Sequence, residues 1–137
     1  MTVKELRDIL SQVDQNKEVR IIVEDIIDNY GYNIAGRAMV DMVIENEIEN
    51  FVDIQGIDIW FFLKLWYNIY VRKREVKMTV KELRERLTYF PEDKEVELFI
   101  ESIEDNRGDY INGRSNIEHI GYGINGSVEL SGYDLYS

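Results

Sequence analysis

Two matched groups of carboxylates, Glu24, Asp25 and Asp28, and Glu101, Glu104 and Asp105, are the densest sets of side chains here that could do chemistry. Carboxylates so close together could hold a calcium or magnesium ion. Their spacing lacks the EF-hand pattern, and acids at a strand-to-loop boundary are usually just solvated. Two Gly-Arg pairs, Gly36-Arg37 and Gly113-Arg114, follow the acids at matched distances. Arginine binds carboxylate or phosphate with two parallel hydrogen bonds, so these pairs could capture an anion or a partner. Their bland role is a turn residue plus a balancing charge. The single histidine, His119, has no histidine at the matched position, and reads as a surface or packing residue rather than a catalytic one. Cysteine is absent, which excludes disulfides, thiolate zinc sites and thiol nucleophiles. No phosphate-binding glycine loop and no nucleophile elbow is present. The chain is therefore expected to be no enzyme and to carry no cofactor.

These residues match because the chain repeats itself. Met1-Thr2-Val3-Lys4-Glu5-Leu6-Arg7 recurs unchanged as Met78-Thr79-Val80-Lys81-Glu82-Leu83-Arg84. Lys17-Glu18-Val19 recurs as Lys94-Glu95-Val96, and Ile34, Gly36 and Arg37 as Ile111, Gly113 and Arg114. After a slip of one residue, Val52-Asp53-Ile54-Gln55-Gly56 matches Val128-Glu129-Leu130-Ser131-Gly132. A run of seven identical residues is no accident of composition.

Reading the two copies together predicts the elements. Thr2 and Thr79, each with glutamate three residues on, predict capping boxes. Val3, Leu6, Leu10 and Val13, and Val80, Leu83, Leu87 and Phe90, then follow at helical spacing. Leu6, Leu10, Leu83 and Leu87 are expected in the core. Val19–Val23 and Val96–Ile100 read as strands. Asp28–Gly36 and Asp105–Gly113, rich in Asn, Asp and Gly, read as loops. Met39–Ile44 alone could be helix or strand. Gly121, Gly123 and Gly126 in the second copy decide for a hairpin, with Val52–Ile59 as the next strand. The expected fold is α+β: two tandem α-β-β-β modules, 1–60 and 78–137, each a helix on a small, mainly antiparallel sheet, related by a pseudo-two-fold axis.

Residues 61–77 join them. This connector is apolar and aromatic, then basic. It carries +4 against −8 for residues 1–60 and −7 for 78–137, which together give the net charge of −11. Lys64, Asn68 and Arg72 are spaced for a helix, whereas the β-branched and aromatic content favours an extended segment. Either way it reads as a staple, with Trp66, Tyr67 and Tyr70 buried between the modules. The alternative is an exposed patch for nucleic acid. The second copy also opens with its own methionine, Met78. Arg74-Glu75-Val76-Lys77 can be encoded by a ribosome-binding sequence just ahead of that codon. Two neighbouring gene copies, fused by loss of a stop codon, would read this way, and a short product starting at Met78 would pair with the full chain.

Each copy resembles small proteins of phages and other bacterial mobile elements. The residues that carry the resemblance are Thr79-Val80-Lys81-Glu82-Leu83 and Pro91-Glu92-Asp93-Lys94-Glu95-Val96. Asp14 replaces the proline in the first copy. The resemblance covers both modules but not the connector, and its motif is structural. It implies the small α+β fold and a mobile-element setting. Such small acidic proteins include anti-CRISPR and anti-restriction inhibitors.

With no apolar leader and no run long enough to span a bilayer, the expected location is the cytoplasm of a bacterial host. The negative charge disfavours direct contact with nucleic acid and favours a basic surface on a host protein. The residues expected to meet that partner are Glu45, Glu47 and Glu49, then Glu101, Glu104, Asp105 and Asp109, with Arg37 and Arg114. A rival reading is a sponge for a small anionic molecule or nucleotide, held by the Asn/Gly loops and the two arginines, with a homo-oligomer allowed. A structural phage component is a third. Tyr110, Tyr122, Tyr133 and Tyr136 are numerous for a short stretch. They suit an interface as well as they suit packing on a small sheet.

Overall fold

The computed structural model describes residues 1–46, 50–58, 78–123 and 126–135. Connector residues 61–77, with Glu47 and Glu49, lie outside the described residues, and with them the choice between strand and helix.

Each repeat opens on a helix, α1 (Val3–Leu10) or α2 (Val80–Leu87). Both start in the expected capping box. The Thr2 and Thr79 hydroxyls accept from the Glu5 and Glu82 amides at 3.2 Å, and the glutamate carboxylates accept in return from the threonine amides. That hydrogen bond from Thr2 also lowers the Glu5 pKa. Two turns would be marginal alone. What holds them is burial: Val3, Leu6, Leu10, Val80, Leu83 and Leu87 all join one core. Thr79→Ala should cost about 1 kcal/mol, read as a lowered urea midpoint at unchanged slope. An unchanged midpoint would show that packing alone fixes the helix start.

Eight strands follow among the described residues. They are β1 (Val19–Ile27), β2 (Asn33–Met39), β3 (Met42–Asn46) and β4 (Phe51–Ile57) in the first repeat. The second supplies β5 (Glu95–Glu104), β6 (Tyr110–Asn116), β7 (His119–Tyr122) and β8 (Val128–Tyr133). The expectation of three strands per repeat falls short by one. The chain from Asn33 and from Tyr110, expected as loop, is strand. The expected strand Met39–Ile44 is the end of one strand and the start of the next. Val40 and Ile117 sit between them and are buried, plugging the corner at which the chain turns.

The strands do not stay within their repeats. One sheet runs β2-β1-β8-β7 and the other β3-β4-β5-β6. Each sheet is thus an antiparallel hairpin from one repeat joined by a parallel seam to a hairpin from the other. The seams match. Val19 pairs with Val128 and Ile21 with Leu130, just as Val52 pairs with Val96 and Ile54 with Leu98. Tandem α-β-β-β modules of 1–60 and 78–137, each a helix on its own sheet, are therefore not what forms. The repeats are intertwined about a pseudo-two-fold axis. Their core-facing Val, Ile and Leu residues make a single cluster with both helices. The strand ends close the corners between sheets, where Ala38 bridges to Asp58 and Ser115 to Asp134. Among the described residues no helix is long and apolar enough to cross a membrane.

Candidate partner-binding face

The β1–β2 and β5–β6 hairpins are built alike. Each long strand carries a bulge, between Val23 and Ile26 and between Ile100 and Ile103. Asp25 and Ser102 take the extra place at φ 55° and 60°. A bulge resets the alternation of a strand. Ile26 and Ile103 return to the core, while Glu24, Asp25, Glu101 and Glu104 are left in solvent.

The tips are Asx turns. Asp28 Oδ1 accepts from the amides of Tyr30 and Tyr32, each at 2.9 Å. Asp105 Oδ1 accepts from those of Arg107 and Asp109, also at 2.9 Å. Gly31 and Gly108 supply the left-handed residue, at φ 86° and 85°, a conformation that costs glycine little. Both aspartates are buried, and the Oδ2 of each has no hydrogen-bond partner. Asp105, expected at a partner surface, instead organises its own turn.

The two tips lie side by side. The Tyr30 hydroxyl donates to Asp109 Oδ2 at 3.0 Å, and the Arg107 guanidinium stacks 4.1 Å from the centre of the Tyr30 ring. The hydrogen bond to Asp109, and then its charge, raises the Tyr30 pKa, so the phenol stays a donor. Ile27, Tyr30, Tyr32 and Tyr110 are exposed around this junction. Tyr133, also exposed, stands beside Glu24 across the parallel seam. One end of the molecule thus combines exposed aromatics with the carboxylates of Glu24, Asp25, Glu101, Glu104 and Asp109.

Elsewhere the expected site residues scatter. Arg114 is clamped. It meets Asp53 through two nitrogens, at 2.6 and 3.3 Å, and Glu97 at 3.1 Å. The rings of Phe99 and Phe51 flank it at 4.6 and 5.0 Å. Burial pushes its pKa down, but the hydrogen bonds and charges of Asp53 and Glu97 outweigh that and raise it. Its guanidinium is thus taken up by the fold. Arg37, at the matched position, pairs with Glu129 at 3.3 Å and is 57% exposed. Glu45 is paired with Lys94 at 3.0 Å. His119 is exposed on β7. No group of three or more Asp, Glu or His among the described residues is arranged to hold a metal ion.

Of the expected set, then, Glu101, Glu104 and Asp109 are exposed along the end of β5 and its turn, and Asp105 is buried in that turn. Glu24, Asp25, Ile27, Tyr30 and Tyr32 were not expected at a partner surface. The signal was present in the matched Asp-x-x-Gly turns, which mark two hairpin tips able to meet. In comparisons with known protein families, curated proteins and solved structures, the chain matches none.

Proposed function

We propose that this protein is a non-catalytic acidic inhibitor or adaptor. It docks the paired hairpin tips on a basic surface of a partner protein. The observation that carries this reading is the Tyr30–Asp109 junction, which sets exposed tyrosines and carboxylates from both repeats on one end. Tyrosine buries large area on binding at low entropic cost, and interface cores favour it. Carboxylates around it steer an approaching basic surface and raise the association rate. A protein that handles nucleic acid offers such a surface. Together with the likeness to mobile-element proteins, this points to a host defence protein of the CRISPR or restriction kind, met in the bacterial cytoplasm. A nucleotide sponge is the weaker reading, because Arg114 would have to leave Asp53 and Glu97 to hold an anion.

The test is capture from a bacterial lysate, with the wild type and the Glu101→Gln/Glu104→Gln double variant run at low and high salt. Rim charges act mainly on association and are screened within about 8 Å at physiological ionic strength. Recovery of a basic nucleic-acid-handling protein is expected, and the double variant should recover several-fold less at low salt. At high salt the two should converge. A nucleotide co-purifying instead, or capture insensitive to both salt and substitution, would sink the proposal.

A further inference from the structure

The amino-terminal segment of each repeat is held by the other repeat, and the two sets of bonds match residue for residue. Val3 N donates to Lys94 O at 2.9 Å, Lys4 N to Glu92 O at 3.0 Å, and Met1 O accepts from Val96 N at 2.9 Å. At the other end of the pseudo-two-fold, Val80 N donates to Lys17 O at 2.9 Å and Lys81 N to Gln15 O at 3.1 Å. Met78 O accepts from Val19 N at 2.9 Å. Thr2 bridges to Glu95 as Thr79 bridges to Glu18.

The two sets differ in one member. The ammonium of Met1 pairs with Glu95 Oε2 at 2.8 Å. The residue matched to Glu95 is Glu18, whose Oε1 accepts from Arg20 Nε at 3.1 Å. Its Oε2 is buried and has no hydrogen-bond partner. A buried acceptor without a donor is costly, more so when charged. In the intact chain the Met78 nitrogen is a peptide amide. A free amino terminus there would bring a charged donor to the oxygen that lacks one.

We propose that this end of the first repeat is a receptor for a free amino terminus at Met78. A separate chain of residues 78–137 docks there with its ammonium on Glu18 Oε2. The parallel seams β1–β8 and β4–β5 supply the rest of the interface, because every strand pair that joins the repeats is already a contact between 1–58 and 78–135. A single repeat carries both halves of each seam, as a self-complementary two-fold interface requires.

The test uses the full chain. A protease site is placed in residues 72–77 so that cleavage after folding leaves Met78 first, and a second version leaves one glycine ahead of it. Each is made with Glu18 and with Glu18→Gln, and association of the cut halves is followed by dilution and native mass. The halves should stay together. Glu18→Gln should weaken their association roughly tenfold when Met78 is first and far less when glycine precedes it. Its effect on the uncut chain should also be small; any loss through Arg20 is common to all forms and cancels in the comparison. Halves that separate on cleavage would overturn the proposal. So would a Glu18→Gln effect equal in the uncut chain and in both cut versions.

Discussion

Arg114→Ala should destabilise the fold by about 3–5 kcal/mol, whereas Arg37→Ala, at the matched position of the other repeat, should cost less than about 1 kcal/mol. The two arginines follow the same glycine and sit on equivalent strands. Their surroundings decide the difference. Arg114 is 16% exposed and its partner Asp53 is 2% exposed. Truncating Arg114 leaves Asp53 charged, desolvated and facing Glu97, which also loses its partner. The penalty is that of a buried orphan charge, not of a lost surface contact. Two phenylalanine rings lose the guanidinium stacked on them as well. Arg37 is mostly in water, and a single-point pair with Glu129 there is screened. Adding Asp53→Asn to Arg114→Ala should recover a good part of the loss, because it removes the stranded charge. Urea unfolding of the four chains measures this. Equal costs at the two arginines would mean that the clamp is no tighter than the exposed pair.

The asymmetry has a sequence origin, but not one that a repeat comparison displays. Phe51 and Phe99 correspond to Ser127 and Ile22, and Glu97 to Arg20. The residues that bury Arg114 are therefore contributed by β4 and β5, and their importance appears only when the seam between them is known. Helices were legible because they are local: a capping threonine and three apolar residues at helical spacing settle them, although each ends before the fourth apolar position expected on it, Val13 or Phe90. Strand existence was largely legible too, from β-branched runs and glycines. The pairing was not. In a duplicated chain, Val19 meets much the same residues whether it pairs with its own repeat's Val52 or with Val128 in the other, so local pattern favours neither. Exchange goes with the two-residue link between β2 and β3, Val40 and Asp41, of which Val40 is buried. Beyond that link β3 and β4 lie in the opposite sheet instead of back along β1. The acidic loops misled for a related reason. Asp28 and Asp105 read as solvated charges, yet an Asx turn with glycine in the left-handed place uses the carboxylate as a backbone acceptor.

Gly132→Ala and Gly56→Ala should each destabilise the protein by about 3 kcal/mol, and by similar amounts, because the two glycines occupy equivalent places at the corners between the sheets. Neither is a matter of φ, since neither lies in the left-handed region. The reason is space. A methyl group on Gly132 would run into the backbone carbonyl oxygen of Asn116 and stand 2.8 Å from Ser115 Oγ. On Gly56 it would meet the carbonyl oxygen of Met39 and lie 2.7 Å from the Ala38 methyl. Those carbonyls cannot easily retreat. Arg114 N donates to Asp134 Oδ1 at 3.0 Å and Leu135 N to Arg114 O at 2.8 Å, which pins β8 against β6. Arg37 N donates to Asp58 Oδ2 at 3.4 Å on the other side. Relief must come from parting the sheets, and that exposes the core shared by both repeats. It would also shift the hairpins whose tips meet at Tyr30 and Asp109, so the tyrosine–carboxylate end should lose its geometry along with its stability. Gly121 is the internal control. It lies in β7 with nothing within 4 Å of its would-be methyl, so alanine there should change stability by no more than about 0.5 kcal/mol. Thermal or urea unfolding of the three variants decides the matter. If Gly132→Ala is as harmless as Gly121→Ala, the corners are not closed and the two sheets are free of one another.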